Sequence, residues 1–118
     1  MDIVKMVEYI VNAADDKKAQ DITILDLKEV SSVTDYFVIC TGSTATQTKA
    51  IADNIEEKLE QDHNLRLLRR EGYQSGSWIL LDYGSVVVHI FKPEERDFYN
   101  IERLWGDAKT LDASNFLN

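Results

Sequence analysis

A single cysteine, Cys40, leaves the chain without an internal disulfide framework, and a lone thiol suits a reducing compartment. A single proline and five glycines in 118 residues give no linker composition and no internal boundary. A chain of this length forms one domain with a real core. No apolar run approaches the ~20 residues of a membrane helix. The first fifteen residues carry Asp2, Glu8 and Asp15 and lack the basic start and apolar stretch of a signal peptide, so a cytoplasmic location is expected. There is no Walker A sequence and no Gly-x-Gly-x-x-Gly. Positive charge is scarce too: the net charge is −8. Phosphate backbones repel such a surface, whereas a basic protein partner is attracted and steered to it. Little direct nucleic-acid contact and no membrane association are therefore expected.

What the chain does have is a strongly patterned stretch from Gly76 to Pro93. Two apolar runs, Trp78–Tyr83 and Val86–Phe91, flank Gly84-Ser85. A two-residue Gly-x connection between such runs predicts a β-hairpin, because glycine accepts positive φ at the first turn position. Val87, His89 and Phe91 point to one face and Val86, Val88 and Ile90 to the other. A strand apolar on both faces either lies inside a layered sheet or offers one face to a partner.

Around this hairpin the remaining elements follow in order. Residues 2–15 repeat apolar side chains at helical spacing, with Asp2 as cap. Asp21–Leu27 alternates as a strand, and Tyr36–Thr41 is a second strand, apolar on both faces and central; the two are expected to pair as an antiparallel hairpin. Gly42-Ser43 breaks that strand and opens a helix. Thr44 and Gln47 stand at capping-box spacing, and Ile51, Ile55 and Leu59 form its stripe to about Gln61, with Asn64 as terminator. Leu65–Arg70 is strand-like but basic. Pro93 sits at the first position of a last helix, with Glu94 and Glu95 in its first turn. Phe98, Ile101 and Trp105 share one face of that helix, and Gly106 ends it. Residues 1–107 make up the domain, and residues 108–118 are expected to form a loosely held tail. The order α-β-β-α-β-β-β-α predicts an α/β (α+β) fold, a mixed sheet of about five strands with helices packed on it.

Groups suited to catalysis are sparse. Cys40, mid-strand in an apolar run, reads as a buried, inert thiol. His63 and His89 lack metal-ligand partners at i+2, i+3 or i+4, and His89 reads as a packed or hydrogen-bonded strand residue. Asp35 and Asp82 lie near strand ends, where turn roles are the default. Trp78 reads equally as core or as interface anchor, and Trp105 as core. Gly42-Ser43 before a helix resembles the phosphate-holding start of nucleotidyltransferase-fold enzymes. Those enzymes also need a carboxylate pair on the next strand for Mg²⁺, whereas the segment here, Leu65–Arg70, offers arginines. Transferase activity is not expected, and neither a metal nor a cofactor is called for.

Three blocks carry a specific resemblance: Ser31–Gly42 (SSVTDYFVICTG); Glu71-Gly72 with Trp78–Gly84 and Val86–Phe91; and Arg96–Trp105 (RDFYNIERLW). In this order and spacing they resemble the Iojap family, known in bacteria as ribosomal silencing factors. The similarity spans nearly the whole chain; Ser85 replaces the Asp frequent in the family's hairpin turn. The resemblance implies a nucleotidyltransferase-like fold without the catalytic carboxylates, and no enzymatic activity. It implies binding to the large ribosomal subunit through its universal protein fourteen, which obstructs joining of the small subunit and lowers translation under nutrient limitation. Carried over onto this sequence, the contact falls on Trp78 and Leu81, with Asp82, Val88 and Ile90. An unoccupied apolar surface of this kind predicts a homodimer in the free state. A role in large-subunit assembly and, more remotely, nucleotide binding at Gly42-Ser43 are the alternatives.

Overall fold

Asp2 opens the first helix: its Oδ1 accepts the Val4 amide proton at 3.0 Å, satisfying one of the orphan donors of the first turn. In the computed structural model, which describes residues 2–118, this helix (α1) spans Ile3–Asp16 and buries Met6, Val7, Ile10, Val11, Ala13 and Ala14 along one side. Strand β1 (Gln20–Asp26) and β2 (Tyr36–Thr41) follow as an antiparallel pair. Helix α2 (Ala45–His63) starts on Thr44, whose hydroxyl accepts from the Gln47 amide, and ends on Asn64 in the left-handed conformation, φ 54° and ψ 35°.

The predicted hairpin forms from β4 (Trp78–Asp82) and β5 (Val86–Phe91). The Tyr83 amide donates to the Val86 carbonyl at 2.9 Å, which leaves Gly84-Ser85 as the two-residue loop. Gly84 sits at φ +85°, where an L side chain is strained. Strands β2 and β5 run parallel at the centre, with Phe37 opposite Val87 and Ile39 opposite His89. Completed by β3 (Arg69–Glu71) and β6 (Lys109–Asp112), the sheet has the order β3-β4-β5-β2-β1-β6. Every other neighbouring pair is antiparallel.

Two clusters bury the two faces of this sheet. On one face α1 and α2 cover Ile24, Val38, Cys40, Ile79, Leu81, Val86, Val88 and Ile90. On the other, Ile101 and Trp105 cover Leu25, Leu27, Ile39 and Phe91. That second cover extends over only part of its face, as described below.

The structure departs from the sequence-based expectation in three places. Leu65–Arg70 is not a strand throughout: the Leu65 amide closes the end of α2 on the Leu59 carbonyl at 2.9 Å, and pairing begins only at Arg69. The last helix is broken into α3 (Pro93–Tyr99) and α4 (Ile101–Leu104) by Asn100, at φ 43° and ψ 56°. Asparagine enters this left-handed region more readily than most residues. Finally, the sheet has six strands rather than about five, because residues 109–112 pair with β1 (Ile24 opposite Leu111) and a short 3-10 helix follows at Ala113–Asn115. The tail is further tied to α1: Nδ2 of Asn12 donates to the Phe116 carbonyl at 2.9 Å, and its Oδ1 accepts from the Asn118 amide at 3.0 Å.

Candidate docking face

The register of the β4–β5 ladder sorts its side chains. Trp78, Leu80 and Asp82 share a face with Phe91, His89 and Val87, while Ile79 and Leu81 share the opposite face with Ile90 and Val88. The second set lies beneath the helices. Leu81, Val88 and Ile90 each have 0 % exposure and belong to the core cluster with α1 and α2. This corrects their assignment to a partner contact, since no partner reaches them without unfolding the domain. Trp78 and Asp82, by contrast, lie on the face that the helices leave open, and both are half-buried.

On that open face an aromatic row extends across the sheet. The Trp78 ring stacks on Phe91 with centroids 4.8 Å apart and tilts against Tyr99, also at 4.8 Å. His89 meets Phe37 edge-on at 4.4 Å, and Phe37 meets Trp105 at 5.8 Å. At the α3 end, Phe98 stands edge-on to Tyr99 at 5.0 Å. Offset and edge-to-face geometries such as these are the favoured ones for aromatic pairs. Exposure rises toward that end: Tyr99 is 47 % exposed, Leu104 77 % and Phe98 80 %. A group of large apolar side chains in water is the signature of an interaction surface. Phe98, Tyr99 and Leu104 escaped the sequence reading because a continuous helical periodicity put Phe98 on the same stripe as the buried Ile101. The signal that finds them is Asn100 itself, a residue suited to a helix C-terminus one position after Tyr99.

His89 is the polar centre of the row. Its Nδ1 accepts the indole N–H of Trp78 at 3.1 Å, so the neutral ring carries its proton on Nε2. Nε2 is buried and has no hydrogen-bond partner among the described residues. Burial lowers the pKa of the ring from 6.5 to about 4, because the charged form loses its hydration. His89 is therefore a packed, hydrogen-bonded strand residue, as its surroundings in the sequence suggest. Asp82 takes the turn role: its Oδ1 accepts from the Gly84 amide at 2.8 Å, and Oδ2 lies 4.0 Å from Arg69.

The two short helices, α3 with Phe98 and Tyr99 and α4 with Leu104, are pinned from below by Arg96. Its Nε and Nη2 bind Glu102 at 3.1 and 3.3 Å, its Nη1 binds the Asp21 carbonyl at 2.7 Å and Thr41 Oγ1 at 2.9 Å, and its Nη2 also binds Thr23 Oγ1 at 3.1 Å. A guanidinium has five N–H donors, and here each has an acceptor. The crevice beside it thus offers no free cation to a ligand. The arginines around β3 each lie beside a carboxylate: Arg70 is hydrogen-bonded to Glu56 at 3.0 Å, while Arg66 lies 3.5 Å from Glu60 and Arg69 3.9 Å from Glu71 in exposed pairs. The outer edge of β4 is occupied by β3 from Leu80 to Asp82, which closes that stretch to strand addition by a partner.

The enzyme-like feature of the sequence resolves into an internal cap. The Ser43 amide donates to Gln47 Oε1 at 2.6 Å, and Gln47 Nε2 donates to the carbonyls of Lys17 and Lys18 at 3.1 Å each. Gly42 is buried against Thr48, where an added Cβ would meet Cγ2 at 2.9 Å. Among the described residues, no group of three His, Cys, Asp or Glu side chains is placed to hold a metal ion, and no helix is long and apolar enough to cross a membrane. Cys40 is fully buried, and its thiol is pushed up to about 12 by desolvation, with the charge of Arg96 acting the other way.

Comparison with known proteins agrees with this architecture. The profile of the family described as "Ribosomal silencing factor during starvation" matches residues 1–118. The chain is 40 % identical over 114 residues to the ribosomal silencing factor RsfS of Halalkalibacterium halodurans, covering 97 % of each chain. It is 42 % identical over 106 residues to RsfS of Bacillus subtilis, covering 90 % of this chain and 89 % of that one. The crystal structure of a Chromobacterium violaceum protein, 37 % identical, superposes with a TM-score of 0.87 over 90 % of this chain and 88 % of that one. With the profile matched from end to end and the fold shared, the chain belongs to the ribosomal silencing factor family.

Proposed function

We propose that the chain is a translational repressor that docks the open face of its sheet, centred on Trp78, onto the universal protein fourteen of the large ribosomal subunit and so keeps the small subunit from joining. The observation that carries this is the half-buried Trp78 backed by Phe91, with Tyr99, Phe98 and Leu104 standing exposed beside it. Such an aromatic anchor with an apolar surround is the usual centre of a protein–protein interface. The net charge of −8 supports a basic protein as target and disfavours neighbouring RNA. Repression on this reading is obstruction by a 13.5 kDa body in the cytoplasm, under nutrient limitation, and it uses no chemistry, metal or cofactor. The same surface, unoccupied, pairs two copies into a homodimer.

The test is a pull-down of purified large subunits by the wild type and by Trp78→Ala, with folding checked by circular dichroism. Loss of a central aromatic anchor costs about 2 kcal/mol or more, roughly a thirtyfold drop in affinity. Binding that survives in Trp78→Ala sinks the assignment of this face. Large subunits that bind the protein and still accept small subunits sink obstruction, and leave an assembly role as the function. Sedimentation showing only monomer at micromolar concentration counts against the dimer.

A further inference from the structure

The open face contains one polar device that the docking reading leaves unused. His89 is 5 % exposed and held between aromatic rings, edge-on to Phe37 at 4.4 Å and 12° from coplanar with Phe91 at 6.3 Å. Its strand position is diagonal to Trp78, whose direct partner is Phe91, and diagonal neighbours on one face are within reach of long aromatic side chains. Among the described residues, the sole hydrogen bond of its ring is the one Nδ1 accepts from the indole N–H, and the other ring nitrogen is buried and unpaired. A buried, unpaired donor weakens the fold, so an apolar ring at position 89 is expected to fold at least as tightly. The histidine is costly to the isolated domain, and what it supplies in return is an acceptor for Trp78.

We infer that His89 is a positioning residue for the docking face, fixing the half-exposed Trp78 indole in one orientation before a partner arrives. The inference rests on the docking reading above. Trp78 follows Gly76-Ser77 at the start of its strand and lies beyond the stretch of β4 paired by β3. Its ring is thus set by side chains alone: Phe91 beneath, Tyr99 beside and His89 Nδ1 at the N–H. Binding orders interface side chains at an entropic cost, and an anchor already ordered in the free protein avoids most of it. Losing that preorganisation reduces affinity roughly threefold to tenfold, mostly through faster dissociation.

Three full-length proteins test this: wild type, His89→Phe and His89→Asn. Phenylalanine keeps the ring and removes the acceptor; asparagine sets a carbonyl oxygen close to where Nδ1 was. Two quantities are read. One is the ¹⁵N-detected indole N–H of Trp78, its shift and solvent exchange, told from that of Trp105 by a Trp78→Phe control. The other is affinity and dissociation rate for purified large subunits. The expected result is that His89→Phe folds with unchanged or raised melting temperature, exposes the indole N–H to rapid exchange, and binds threefold to tenfold more weakly, while His89→Asn restores both readouts. An indole signal indifferent to His89→Phe overturns the inference, as does an exposed indole with undiminished affinity. If the wild type itself does not bind large subunits, the docking reading falls and the positioning role falls with it. The indole signal then still reports, separately, whether the hydrogen bond forms.

Discussion

The amide of Ser43 donates to the side-chain oxygen of Gln47 at 2.6 Å, so the donor that a nucleotide-binding protein aims at a phosphate is already committed to the chain's own glutamine. The same side chain ties the start of α2 to the end of α1 through the carbonyls of Lys17 and Lys18. Replacing it removes three hydrogen bonds from a partly exposed site. Gln47→Ala is expected to cost about 1–2 kcal/mol, in the range of a lost cap, read as a lower urea midpoint at unchanged m-value. Calorimetric titration of the wild type with ATP and Mg²⁺ is expected to give no binding heat. A saturable isotherm would restore the nucleotide hypothesis.

Leu81 and Trp78 offer a test that separates folding from the proposed docking. They lie on the same strand but on opposite faces, Leu81 at 0 % exposure beneath the helices. Leu81→Ala opens a cavity in a closed core and is expected to cost about 3 kcal/mol of stability. At temperatures where the mutant remains folded, its affinity for large subunits is expected to match the wild type. Trp78→Ala is expected to show the reverse balance, with a small change in stability and a large one in affinity. Equal losses of affinity in the two mutants would mean that fold and face are not separable in this way.

Much of this architecture was legible in the chain. Tyr36–Thr41 is a strand with the bounds expected, because five consecutive apolar residues are closed by Thr41-Gly42 on one side and follow a polar loop on the other. The hairpin, the Thr44 cap and Pro93 at the start of α3 were equally local signals. The side of the hairpin that faces the helices was not local. Both sets of its residues are apolar, and only the placement of α1 and α2 decides that Val88 and Ile90 are buried under them. This is why three of the five contact residues carried over from the family proved to be core. Strand β6 was illegible for a related reason: Lys109-Thr110-Leu111-Asp112 holds one apolar residue, and its pairing with β1 comes from a distant partner. The break at Asn100 overrode a periodicity that would otherwise run on.

His89 makes the stability of the fold depend on pH in a defined window. Its pKa is lowered from 6.5 to about 4 by burial. Above pH 6.5 neither the folded nor the unfolded chain carries this proton, and the contribution is fully present. As pH falls toward 4, the unfolded chain takes up a proton that the folded chain refuses, so stability falls. The size of the loss is up to about 3 kcal/mol. Urea unfolding at about pH 7.5 and about pH 5 measures it, with His89→Phe as reference, since the carboxylates elsewhere contribute alike to both proteins. The wild type is expected to lose more stability between the two than His89→Phe. Parallel losses would place the buried ring in a more polar setting than its contacts indicate.

Arg96 governs whether the exposed aromatics of α3 hold their place beside Trp78. Its side chain joins α3 to Glu102 of α4 across the Asn100 break, and both to the sheet at Asp21, Thr23 and Thr41. The two helices are short, four and seven residues, and too short to be stable alone. Their order comes from this clasp and from the burial of Ile101 and Trp105 against the sheet. Arg96→Ala strands Glu102 and three sheet acceptors and is expected to cost about 3 kcal/mol. Glu102→Gln keeps an acceptor oxygen and is expected to cost about 1 kcal/mol. In Arg96→Ala the amides of α3 and α4 should exchange with solvent much faster than in the wild type, while those of β2 and β5 change only with global stability. Affinity for large subunits should fall as well, because Tyr99 and Phe98 lose their fixed position. Uniform loss of protection over the whole chain would instead make Arg96 a general support of the core, with no separate hold on the docking face.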